Sequence, residues 1–103
     1  MNLEKFKEIL EETGLPVAYE SFPENGSPGL PFICYMQTGK DNFSADGEVY
    51  HSSRMITVEL YTKRKDEEKE ILVENALKDF FWNSTEGKID TENCYMVAYN
   101  MEV

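Results

Sequence analysis

Few residues in this chain could transfer protons or attack a substrate. It contains one histidine, His51, and two cysteines, Cys34 and Cys94. A Cys-His pair is conceivable, because His51 lies on a predicted strand, Cys34 on its predicted neighbour, and Glu59 eight residues beyond the histidine. A lone histidine beside a loop is, however, more often a surface or hydrogen-bonded residue. We therefore expect a protein that is not an enzyme and has no catalytic residues.

The two cysteines and the polar segment over 39–48 contain residue types that can bind metal ions. Cys34 and Cys94 do not form a C-x-x-C motif, which favours two small buried residues over a metal or redox site. Side chains with the right oxygens occupy the early positions of a calcium loop, at Asn42, Ser44 and Asp46. The twelfth position is Ser53, where such a loop needs a bidentate glutamate. We expect no bound metal and no cofactor.

Two amphipathic helices are predicted to position the rest of the chain. Apolar residues recur at helical spacing from Leu3 to Leu10, with Asn2 as N-cap and Gly14 after the last turn, which predicts a helix over 2–13. A second helix is predicted over 66–81. Its expected buried stripe consists of Ile71, Val73, Ala76, Leu77, Phe80 and Phe81.

Alternating or continuous apolar segments predict four strands. They cover residues 17–22, 31–38, 49–62 and 94–103, with a mobile polar loop over 39–48, a turn over 83–87 and a possible extra short strand at 88–90. The order α-β-β-β-α-β predicts an α+β fold, with a mostly antiparallel four-stranded sheet and two helices on one face. The length predicts a single domain over 1–103. The expected core is Leu10, Ile33, Ile56, Val58, Leu60, Leu77, Phe80 and Val97.

Charge and apolar run length exclude two classes of partner. The chain has 10 Lys and Arg against 20 Asp and Glu, a formal net charge of −10, so a phosphate backbone would repel it. We therefore expect no sequence-specific nucleic-acid binding. Its apolar runs are far shorter than the roughly 20 residues of a membrane span, which predicts no membrane partner. The charged N-terminal residues do not match a signal peptide, so a cytoplasmic location is expected.

The chain is rich in aromatic residues for its size. Six Phe, six Tyr and one Trp exceed what the inner face of one small sheet readily buries. Tyr and Trp are enriched at interfaces, which favours self-assembly through surplus aromatics and the edge of the long strand. The alternative is an outer sheet face with scattered exposed aromatics. The predicted interface residues are Phe43, Tyr50, Tyr61 and Trp82, and the predicted loop or lumen acids are Asp41, Asp46 and Glu48.

Several segments together resemble a small structural protein of Gram-positive siphophages and prophages. They are residues 15–19, 31–35, 41–50 (Asp-Asn-Phe-Ser-Ala-Asp-Gly-Glu-Val-Tyr), 58–62, Lys65-Asp66 and 97–103. The similarity covers nearly the whole chain and is most specific in the central loop and the strand that follows it. The family belongs to the head-tail joining and tail completion proteins. Its element order is similar to that of tail terminators, whose α+β subunits close into hexameric rings.

The resemblance implies a non-enzymatic subunit of the virion, assembled in the cytoplasm of the bacterial host. Its partners would be copies of itself, the major tail protein and head-tail connector proteins, and both the tail side and the head side of the joint remain open. In such a ring the loop acids would line or rim the channel, where like charge keeps DNA from sticking. The alternative from another class is an acidic DNA mimic that inhibits a host nucleic-acid-binding protein. The alternation of acids with lysines on the predicted helices, as in Glu4-Lys5, is the usual pattern of a solvated face.

Overall fold

The computed structural model describes residues 1–23, 26–45 and 48–103, and it leaves the side chains of residues 42–52 undescribed. In chain order the elements are α1 (Leu3–Glu11), β1 (Val17–Tyr19), β2 (Phe32–Ala45), β3 (Glu48–Thr62), α2 (Glu67–Ala76), β4 (Trp82–Ile89) and β5 (Cys94–Glu102). Neither helix in these ranges is long and apolar enough to cross a membrane.

The five strands form one mixed sheet in the order β1-β2-β3-β5-β4. Strand β1 runs parallel to β2, and the other neighbours are antiparallel. The α+β class is confirmed, whereas the predicted four-stranded, mostly antiparallel sheet is wrong in two details. Parallel pairing of β1 and β2 follows from the long connection between them, which returns the chain to the same end of the sheet. The fifth strand, β4, covers both the predicted turn over 83–87 and most of the possible short strand at 88–90, and eight successive residue pairs join it to β5.

Helix α1 follows the prediction from its periodicity. The Asn2 side chain accepts a hydrogen bond from the backbone N–H of Lys5 at 2.9 Å, which caps the first turn. Gly14 has a φ of +81°, a left-handed conformation that favours glycine after a helix. Phe6 and Leu10 are fully buried on the inner face of the helix.

Helix α2 is shorter than the predicted helix over 66–81. Asp66 caps it by accepting from the N–H of Lys69 at 3.2 Å, but the helix ends at Ala76 because the chain turns there to begin β4. Within the expected buried stripe, Val73 and Leu77 are fully buried. Ile71 is 55% exposed and Phe81 is 100% exposed, so the prediction that these two are buried is wrong. Phe81 lies beyond the helix, where helical periodicity no longer applies.

Both helices pack on one face of the sheet and enclose the core. The core cluster consists of Phe6, Leu10, Ile33, Tyr35, Ile56, Val58, Leu60, Val73, Leu77, Val97, Tyr99 and Met101. Every predicted core residue belongs to it except Phe80, which is half-buried and packs against its edge. The Phe80 ring meets Phe6 edge-on at 5.7 Å, so the segment after α2 touches α1.

The hairpin of β2 and β3 is much longer than predicted. The expected loop over 39–48 is wrong as far as the structure describes it, because Gly39 to Ala45 continue β2 and Glu48 begins β3. The polar residues between Gly39 and Ala45 have low strand propensity, but they adopt strand conformation because each pairs with a residue of β3. The pairing shifts by one residue between Gln37 and Gly39 and again between Phe43 and Ser44. The molecule is 51 Å along its longest axis and 28 Å and 26 Å along the others.

Candidate assembly surface

The outer part of the β2–β3 hairpin, residues 39–45 and 48–53, is called the arm below. Strand β1 pairs with β2 only as far as Tyr35, and β5 pairs with β3 only from Met55, apart from a backbone pair between Arg54 and Val103. Within the described residues, the two strands of the arm therefore pair only with each other. A two-stranded hairpin without a packed face is marginally stable in water, and its free edges are templates for another strand.

Two of the four predicted interface aromatics belong to the arm. Phe43 pairs with His51 through the backbone, and Tyr50 is the extra residue where the register shifts. Their side chains lie outside the described residues, as does that of His51. The structure therefore does not test the conceivable Cys-His pair, because the His51 side chain is outside the described residues.

The other two predicted interface aromatics are partly buried within the subunit. Tyr61 stacks on Phe32 with ring centroids 5.0 Å apart, and Trp82 meets Tyr99 edge-on at the same distance. Both side chains are half-buried, and the rings of each already have partners. Their role as free interface side chains stays a prediction, with less free ring surface than we expected.

The predicted loop acids lie on or next to the arm. Asp41 is exposed and pairs through its backbone with Ser53, so it belongs to a strand and not to a loop. Glu48 starts β3 opposite Ala45, and its side chain is outside the described residues. Asp46 also lies outside them. Of the three predicted acids, Asp41 is the one whose side chain is described, and it lies on the arm.

The sheet face opposite the helices carries an aromatic cluster. Phe22 meets Phe32 edge-on at 5.1 Å, and Phe32 stacks on Tyr61. The Tyr61 hydroxyl donates to Glu59 at 3.0 Å. Burial, followed by this hydrogen bond, raises the pKa of Tyr61 above its usual range. The segment after β1 thereby covers part of a face on which neither helix packs.

Cys34 lies on the same face, opposite Glu59 on β3. Burial and then the nearby Glu59 carboxylate raise the pKa of the Cys34 thiol to about 11. The thiol is therefore protonated at neutral pH, whereas a nucleophilic cysteine requires the thiolate. Cys34 and Cys94 are both free and buried, which confirms the prediction that they are small buried residues.

A groove of about 530 Å³ opens at the base of the arm. Thr38 and Met55 on the hairpin, Glu102 at the end of β5, and Phe80 and Phe81 before β4 contribute to its walls. The fully exposed Phe81 ring is the largest apolar side chain that this groove presents to solvent. This exposure was not predicted, because helical spacing assigns Phe81 to a buried stripe.

A charged cluster holds α2 against the edge strand β4. The Lys65 ammonium donates to Glu70 at 2.8 Å and to Glu86 at 2.9 Å. The hydrogen bond from Lys65 lowers the pKa of Glu86, and the two carboxylates raise the pKa of Lys65. On the inner side of α2, the Tyr99 hydroxyl donates to Glu74 at 2.8 Å. These contacts are structural, since each fixes one element against another.

Comparison with known proteins adds no assignment to this surface. The chain matches no protein-family model, and no curated protein matches it. Among the residues that the structure describes, no group of three or more His, Cys, Asp or Glu side chains is arranged to hold a metal ion.

Proposed function

We propose that the protein is a structural subunit of the head-tail joint of a tailed phage or prophage, acting in tail completion or as a tail terminator-like ring protein. It works through contacts with copies of itself and with neighbouring virion proteins. The class comes from the sequence resemblance across nearly the whole chain. The structural observation that supports it best is the arm.

The arm favours a role in assembly because it is costly for an isolated protein to maintain. Its two strands pair only with each other among the described residues, and they extend past both β1 and β5. Unpaired N–H and C=O groups along such edges are stabilised when a neighbouring chain adds a strand or covers them. A subunit that closes into a ring provides that neighbour at every position. The most specific part of the sequence resemblance spans residues 41–50, and its described residues, 41–45 and 48–50, lie on the arm.

The groove at the base of the arm supplies a second contact for the same assembly. A Phe side chain is costly to leave in water, and Phe81 is fully exposed there. Burial of this ring against a neighbour would concentrate binding energy at the point where the arm leaves the sheet. In place of the several surface aromatics expected from composition, this proposal uses one exposed ring, Phe81, beside the arm.

The charge of the chain fits passage of DNA through such a ring. A net charge of −10 per subunit repels the phosphate backbone, so DNA would pass through the lumen without sticking. The exposed Asp41 carboxylate is one of the arm acids that would face or rim the channel. In this proposal the ring is a hexamer, its axial partners are the major tail protein and head-tail connector proteins, and its location is the virion after assembly in the bacterial cytoplasm.

The proposal is tested with tail tubes that lack their head-proximal end. Purified protein is added to the tubes, the tube ends are imaged, and joining to filled heads is scored. We expect capped tubes and restored joining. If the protein neither caps tubes nor restores joining, and instead binds a host nuclease or polymerase tightly, the DNA-mimic alternative replaces this proposal.

A further inference from the structure

The outer edge of β4 has an open backbone. Its eight residues, Trp82 to Ile89, pair with β5 without a register shift, and no strand of the described chain lies on the other side. The side chains between its two ends are all exposed. The strand contains neither proline nor a bulge, two of the devices that protect an edge from pairing, although it carries the charged residues Glu86 and Lys88.

The alternation of hydrogen-bonded pairs across the sheet shows which residues of β4 point their backbone N–H and C=O groups away from β5. Arg54 and Val103 exchange both backbone hydrogen bonds at 2.9 Å, which fixes the alternation along β3 and β5. The residues of β5 that point their backbone groups at β4 are therefore Asn100, Ala98, Met96 and Cys94. Their partners on β4 are the odd-numbered residues. Free N–H and C=O groups consequently point outward from Trp82, Ser84, Glu86 and Lys88.

We propose that this edge pairs antiparallel with β4 of a second copy of the chain, about a twofold axis at Gly87. Residues of β4 that face the same side of the sheet alternate, so Glu86 and Lys88 share one side. With Gly87 opposite itself, Glu86 of each copy lies opposite Lys88 of the other, which gives two cross-strand ion pairs. A Cβ at Gly87 would meet no atom within 4 Å, so this position is open on the subunit itself.

Twofold axes at the neighbouring residues do not pair Glu86 of one copy with Lys88 of the other. An axis at Glu86 would place the two Glu86 carboxylates side by side, which is unfavourable. An axis at Thr85 would place Glu86 opposite Ser84 and Lys88 opposite Trp82, with no ion pair. Lys88 can reach across because its side chain is 66% exposed and its contact with Asp90 is long, at 3.8 Å. The charges on the strand thus select a second copy in one register.

The pair is expected to be weak and to strengthen with salt. Each copy carries a net charge of −10, and added salt screens this overall repulsion more than it screens two contacts at short range. The inference does not depend on the proposed function, because it concerns the free chain and an edge separate from the arm.

The backbone part of the proposal is tested by sedimentation equilibrium over a range of protein and salt concentrations. The wild type should show a reversible monomer–dimer equilibrium. Lys88→Pro removes an outward N–H that lies opposite Glu86 of the partner strand and is used twice in the dimer, whereas Lys88→Ala loses the same charge but leaves that N–H in place. We expect dimerisation to be abolished by Lys88→Pro and weakened but retained by Lys88→Ala, with both variants showing wild-type circular dichroism. A wild type that stays monomeric throughout, or equal dimerisation of the two variants, overturns the proposal.

The register is tested by charge reversal. Glu86→Lys and Lys88→Glu each place like charges opposite one another in the homodimer, so each should weaken dimerisation about tenfold. An equimolar mixture of the two variants restores opposite charges at both pairs and should dimerise as well as the wild type. Because Glu86→Lys also removes a partner of Lys65, its fold is checked by circular dichroism. If it does not fold, Lys88→Glu compared with Lys88→Ala still tests the register, because only the glutamate places like charges opposite one another. A mixture that dimerises no better than its components contradicts the register.

Discussion

Leu77→Ala should destabilise the fold far more than Leu72→Ala. Leu77 is fully buried, whereas Leu72 on the preceding turn of α2 is 40% exposed. The substitution is the same, Leu77 is the C-cap of α2, and at Leu72 alanine favours the helix only slightly more than leucine does, so the difference between the two variants mainly reports core packing. Removal of a buried leucine side chain loses its transfer free energy and leaves a cavity, which together cost about 3 kcal/mol. The exposed leucine should cost about 1 kcal/mol or less.

Thermal and urea unfolding followed by circular dichroism measure both changes. For a chain of 103 residues, 3 kcal/mol corresponds to a fall in Tm of roughly 12–24 °C. The urea midpoint should fall with little change in the m-value, since both variants expose similar surface on unfolding. A Leu77→Ala variant within about 0.5 kcal/mol of the wild type, or equal effects at the two positions, would refute the packing of α2 on the sheet.

Three further predictions concern the groove, the charged cluster and the thiol. Phe81→Ser should leave Tm unchanged, because Phe81 is fully exposed, while it reduces capping of tail tubes; a large fall in Tm would show that the ring is buried. Because Lys65 lowers the pKa of Glu86, their contact stabilises the fold above the usual carboxyl pKa of about 4.3 and is lost as pH falls through the lowered pKa. Lys65→Met should therefore have a lower Tm than the wild type at roughly pH 7, and the difference should shrink towards roughly pH 3; a constant difference contradicts this linkage. With its pKa at about 11, the Cys34 thiol should have a thiolate fraction roughly a hundredfold below that of a thiol with a pKa of 9.0. A disulfide reagent should therefore label Cys34 quickly only after the protein is unfolded.

Elements with strong local periodicity could be predicted from the sequence. Helix α1 has both an apolar stripe and a capping residue, and on β5 the alternate residues Val97, Tyr99 and Met101 are all buried. On the long strand β3, the apolar side chains Ile56, Val58 and Leu60 alternate with more polar ones, and all three belong to the core as predicted. In each case the local pattern and the tertiary environment agree, so a prediction from the pattern is reliable.

The features of the candidate surface depended on tertiary pairing that no local pattern encodes. Asn83 to Gly87 have the composition of a turn, yet they form an edge strand because β5 offers a complete row of partners. The polar residues from Gly39 to Ala45 extend for the same reason, with β3 as their partner. Once β4 begins at Trp82, α2 must end earlier, and Phe81 moves from an expected buried stripe to full exposure. These outcomes follow from strand pairing and override residue propensity.

The central claim, that the arm joins the subunit to its neighbours, is tested most directly by shortening it. Replacement of residues 42–52 by Asn-Gly joins Asp41 to Ser53, which already pair, through a two-residue hairpin loop. This change leaves both helices, the core and β4 intact, so circular dichroism and Tm should match a folded subunit. Capped ends are then counted on images of tail tubes mixed with the full-length or the shortened protein. The account predicts capping by the full-length protein and none by the folded, shortened variant, whereas equal capping by both would contradict it.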